Sequence, residues 1–129
     1  MIVNDVMAGY QDLVSKYSTV LEGALTAEFS FDRSNPNFKA LGEKYKKLTG
    51  ADMPYGAYAS TCYDAVYIIK EAIEKVGYDA DKIKDYLYAI KDRKGLAGTL
   101  NFDANGDPKA GHALEVMKGG KVLPYKPGK

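Results

Sequence analysis

The sequence predicts a mixed α/β fold, and three observations support it. Apolar residues alternate with polar ones around Leu25, recur every three or four positions from Phe38 to Ile90, and alternate again after Gly98. The order is therefore helix, strand, three helices and a terminal β meander, which belongs to the α/β or α+β classes. The single early strand has no evident parallel neighbour within the chain.

Tyr10, Leu13, Val14 and Tyr17 repeat at helical spacing and predict a short first helix ending near Ser18 or Thr19. From Ala24 to Phe31 the period is two. Leu25, Ala27, Phe29 and Phe31 share one face of a strand, with Thr26, Glu28 and Ser30 on the other. A helix follows with signals at both ends: Asn35 as cap, Pro36 at the first helical position and Gly50 as stop. Its apolar stripe is Phe38, Leu41, Tyr45 and Leu48. Pro54 and Gly56 break the next segment. The longest helix is expected from about Ala59 to Val76, with Cys62, Val66, Ile69, Ile73 and Val76 on one face and Gly77 as its end. Asp79 can cap a further helix in which Ile83, Leu87 and Ile90 form the buried row and Gly95 is the stop. Thr99–Phe102 and His112–Met117 read as strands, and Gly119-Gly120 as a two-residue turn into Lys121–Tyr125. The tail KPGK is expected to be loose.

Eighteen basic and seventeen acidic side chains leave a formal charge of +1, a balance that favours neither nucleic acid nor an anionic membrane as partner. One cysteine excludes an internal disulfide, and no apolar run reaches the length of a membrane span. The start MIVNDVMAGYQDLV lacks the features of a signal peptide, so the expectation is a cytosolic protein, a mature chain or a piece of one.

DANGD, from Asp103 to Asp107, invites comparison with a calcium loop. Counting from Asp103, however, the sixth position is Pro108 and the twelfth Leu114, where an EF-hand needs glycine and a bidentate glutamate. The alternative is a tight turn, with Asn105-Gly106 supplying positive φ and Asp103 accepting from backbone amides. His112 is the only histidine and builds no metal site alone; Cys62 reads as a buried small hydrophobe. No Gly-rich phosphate loop precedes a helix. No catalytic set, metal site or cofactor is expected. Among eleven tyrosines, Tyr55 and Tyr58 lie in the broken loop ahead of the long helix, where a rigid scaffold presents binding groups, and Tyr55 is the candidate ligand contact.

The ordered set EGALTAEFSF, NPNFKALGEKYKKLTG, YASTCYDAVYIIKEAIEKVG and LAGTLNFDANGDPKAGHALEVMKGGKV resembles the C-terminal third of the solute-binding proteins of branched-chain amino-acid ABC transporters. The resemblance covers nearly the whole chain. It implies the C-terminal portion of a two-lobe type I periplasmic-binding fold, with three-layer parallel-sheet lobes and a terminal β hairpin. Residues 1–29 and 99–129 would belong to the second lobe and helices from about 35 to 94 to the first, with EFSF and the stretch around AGTLNF as crossovers. It further implies a non-enzymatic periplasmic or extracellular component that binds an amino acid or similar small molecule by cleft closure and serves a membrane permease. Asp5 is the position nearest the family's acid for the ligand ammonium group, and Tyr55 matches its aromatic after proline. A ligand-binding sensor of a signalling receptor, or a small α+β interaction domain without ligand, are the alternatives. Helices separated from their sheet would leave apolar stripes open, so a homo-oligomer or domain-swapped dimer is expected.

Overall fold

The computed structural model describes residues 1–109 and 111–127, so the last two residues of the KPGK tail lie outside the described residues. The N-terminal region forms three short helices, α1 (Asp5–Gly9), α2 (Gln11–Lys16) and α3 (Ser18–Leu21), in place of one. Asn4 caps α1 by accepting from the Met7 amide at 2.9 Å, and Asp5 is its first residue. Strand β1 (Leu25–Phe29) follows, then α4 (Pro36–Thr49), α5 (Gly56–Val76) and α6 (Ala80–Tyr88). The expected caps are in place. Asn35 accepts from the Asn37 amide, Gly50 closes α4 with φ 77°, and Asp79 accepts from the Lys82 amide.

Beyond α6 the chain makes a hairpin of β2 (Arg93–Gly95) and β3 (Gly98–Leu100), then β4 (His112–Lys118) and β5 (Lys121–Pro124). Gly95, expected as a helix stop, instead ends a strand. The main sheet has the order β1-β4-β5 with antiparallel pairing throughout, Leu25 facing Val116 and Phe29 facing His112. Parallel pairing among the described residues is limited to the bridge between Ile2 and Leu25. Gly119 and Gly120 turn β4 into β5 with φ of 57° and 72°, the twist a two-residue hairpin requires.

One face of this sheet packs on α1–α3 around Ala8, Val14, Leu21, Ala24 and Met117. Strand alternation then forces an unexpected result. Thr26, Glu28 and Glu115 lie on that covered face and are buried, while Ala27 and Leu114 on the apolar face are exposed. Alternation separates the two faces of a strand without saying which one its neighbours cover.

A second packing group joins α5, α6 and the β2–β3 hairpin. Asp64, midway along α5, accepts from the amides of Leu96 at 2.9 Å and Ala97 at 2.8 Å, and Arg93 forms a two-bond pair with Glu71. These bonds set which side of α5 is covered. Ala57, Ser60, Ile68 and Ala72 are buried, whereas Val66 and Ile69 of the expected row are exposed. Cys62 is exposed rather than buried, because it lies on the side of α5 turned away from the hairpin. No residue of α4 is buried, and Leu48 is 85% exposed. No helix is long and apolar enough to cross a membrane, among the described residues.

Asp103 behaves as a turn-former. Its carboxylate accepts from the amides of Asn105 and Asp107, and Gly106 alone in the loop takes positive φ, at 87°.

Candidate ligand-binding site

Between the two packing groups, residues from four parts of the chain meet in an aromatic wall. Tyr55 stands edge-on to Tyr10 with ring centroids 4.9 Å apart, and to Tyr58 at 6.3 Å. Tyr58 is edge-on to Phe29 at 5.6 Å, and Phe29 lies 5.0 Å from His112. Edge-to-face geometry directs the positive rim of one ring at the negative face of the next.

Tyr55 occupies a special backbone position. It is the N-cap of α5 in the left-handed region, with φ 49° and ψ 63°, where a residue other than glycine is uncommon and strained. Its ring lies over Gly9, so close that an added Cβ there would sit 2.1 Å from Cδ1. The last residue of α1 must therefore be small for the ring to seat. Burial, with Tyr10 next to it, pushes the Tyr55 phenol up to about 12.

Asp5 comes to the same place by another route. Tyr58 Oη donates a hydrogen bond to its carboxylate across 53 residues of sequence. That bond holds the Asp5 carboxyl below its ordinary range. The same bond, followed by burial and the charges of Asp5 and Glu28, pushes the Tyr58 phenol up to about 12. The two residues singled out in the sequence are thus brought together, with Tyr58 as the link. The tyrosine that engages Asp5 is the one in the first turn of α5; its spacing of three from Tyr55 on a helix start was the signal available.

Beside Tyr55 opens a cavity of about 580 Å³, lined by Tyr10, Asp12, Glu28, Arg33, Tyr55 and Glu115 among others. Asp5 is not among its lining residues. On the other side of Tyr58 an apolar groove of about 520 Å³ runs between α5 and the hairpin past Phe29, Ile68, Leu100 and Phe102. No cluster of three or more metal-ligating side chains exists among the described residues. A carboxylate bonded to a phenol, set among aromatic rings beside a polar cavity, can hold an ammonium group while covering apolar atoms.

Solved structures share this fold. A leucine-binding protein from Thermotoga maritima superposes with TM-score 0.73 at 26% identity, over 97% of this chain and 36% of its own. The substrate-binding protein of a branched-chain amino-acid transporter from Streptococcus pneumoniae, in complex with isoleucine, matches with TM-score 0.70 at 22% identity over 98% and 37%. This chain is folded as about a third of a type I periplasmic binding protein. An ABC-transporter substrate-binding protein from Desulfitobacterium hafniense in complex with Leu matches with TM-score 0.67 at 25% identity, over 96% and 35%. The chain therefore spans about a third of the length of the binding proteins it resembles. No family model and no curated protein matches the sequence.

Proposed function

We propose that this chain is the C-terminal portion of an extracytoplasmic solute-binding component of an ABC transporter, binding an amino acid or related small molecule in a closing cleft. The observation that carries this reading is the bond from Tyr58 to Asp5, which joins the first helix to the start of α5 within an aromatic wall. In it Asp5 receives the ligand ammonium group, and Tyr55 and Tyr58 cover its apolar atoms. In this reading the segment to about residue 29 and strands β4 and β5 belong to the second-lobe part, and the helices from about 35 to 94 to the first-lobe part. The aromatic patch then lies where the two move against each other. The role is binding and delivery to a membrane permease on the periplasmic or extracellular side, without catalysis.

Leu114, Leu123, Val66 and Ile69 stand open on the sheet and on α5, which supports association of two copies of the isolated chain. The test is a thermal-shift screen of the 129-residue chain with branched-chain and other amino acids, run beside a light-scattering mass. A raised melting temperature that weakens in Asp5→Ala and Tyr55→Ala is expected. No shift with any amino acid would refute the binding role, and a monomeric mass would refute the association.

A further inference from the structure

We propose that the cavity beside Tyr55 contains a second cation subsite, in which Glu28 and Glu115 take a side-chain ammonium group, so that the preferred ligands are basic amino acids. The proposal rests on the amino-acid-binding reading above and deepens it.

Glu28 and Glu115 lie on the covered face of the sheet, each with 6% exposure, yet both line the cavity. Glu115 has a partner, the Arg33 guanidinium at 3.0 Å. Glu28 has none of that kind: one carboxylate oxygen accepts from the neighbouring Phe29 amide at 2.8 Å, and no described Lys, Arg or His pairs with it. A carboxylate more than nine-tenths buried and without a counter-ion is costly, and the usual remedies are a cation or protonation. Burial, and then the charges of Asp5 and Glu115, raise the Glu28 carboxyl above its ordinary range.

The rest of the cavity has the same sign. Asp12 and Asp52 also line it, so four carboxylates face the one guanidinium of Arg33. Asp52 is answered by Lys46 at 2.8 Å on the exposed side, which leaves Asp12 and Glu28 uncompensated. Thr26 stands opposite Glu115 in the ladder, almost wholly buried, and its Oγ1 lacks a partner. Polar side chains fill this patch of a sheet face where apolar ones would pack at no electrostatic cost. Tyr10 and Tyr55 line the same cavity as these carboxylates, a combination that suits an ammonium group on an alkyl chain.

The experiment is isothermal titration of the 129-residue chain with L-lysine and with L-norleucine, whose side chain has the same carbon count and no charge. Lysine is expected to bind about tenfold tighter or better, the scale of one charge-assisted contact. In Glu28→Gln, similar in shape and unable to ionise, that advantage should shrink towards unity; Asp12→Asn, at an exposed position, should reduce it partly and serves if the first variant misfolds. Norleucine binding as tightly as lysine overturns the cation subsite and leaves the amino-acid reading standing. A lysine advantage unchanged in both variants overturns the subsite too. Binding of neither compound, nor of leucine, overturns both readings.

Discussion

Gly9→Ala tests whether the seat of Tyr55 organises the site. A Cβ at Gly9 would lie 2.1 Å from Tyr55 Cδ1 and 2.5 Å from Cε1, whereas ordinary contact begins at 3.4 Å. The ring must retreat by more than an ångström, yet it belongs to the strained cap of α5 and stands against Tyr10. Overpacking of this kind costs about 1–3 kcal/mol. Against it stands the helical preference of alanine, since Gly9 has no left-handed backbone, a gain of about 0.4–1 kcal/mol. The clash wins, for a net loss of about 1–2 kcal/mol. For a two-state domain of this size that corresponds to a fall in Tm of roughly 3–10 °C, read by calorimetry. The sharper check is the cycle with Tyr55→Ala. With the ring gone the clash disappears, and Gly9→Ala should turn stabilising by about 0.5 kcal/mol. A loss of Tm of the same size in both backgrounds, or no loss in either, would refute the coupling between α1 and the α5 cap.

Two other predictions follow from the hydrogen bonds. Asp64→Ala strands the Leu96 and Ala97 amides and should lower stability by about 2–4 kcal/mol in urea titration, with Asp64→Asn milder because its carbonyl still accepts one of them. In an alkaline absorbance titration, Tyr55 and Tyr58 should ionise near 12, above the value of a free phenol, and Asp5→Asn should bring Tyr58 back towards that free value. The raised Tyr58 makes its contribution to stability complete below about pH 10 and lost as pH rises through about 12. The lowered Asp5 makes its contribution present above the unfolded carboxyl value and lost as pH falls through the folded one.

Boundary chemistry in the sequence was the most legible part. Asn35-Pro36, Gly50, Gly77, Asp79 and the Gly119-Gly120 pair all sit where their backbone preferences place them, because capping and positive φ are local requirements. Burial was less legible. On α5 the row Cys62, Val66, Ile69 is more apolar than the row Ala57, Ser60, Ala72, yet small residues are what let the helix lie close to its neighbours, and the second row is the covered one. The Arg93–Gly95 strand has no β-like composition and exists because Glu71 and Asp64 hold it from the side. Of the candidate site, Tyr55 was proposed from its place before a long helix, and Asp5 through family resemblance. Tyr58 and Glu28 required knowledge of which segments meet: a bond across 53 residues and a polar strand face turned inward leave no periodic trace.

The register of the main sheet also constrains the order in which the molecule can assemble. Each β1–β4 pair closes a loop of roughly 80 or more residues that contains α4, α5, α6 and the hairpin. By contrast, the bonds from Asp64 to the hairpin span only 32 and 33 residues. Loop-closure entropy therefore favours the α5–α6–hairpin group as the earlier structure, with β1 recruiting β4 once the intervening chain has been shortened by its own folding. Glu28 then loses its water late, when β4 arrives and brings Glu115 and the Arg33 pair to its side.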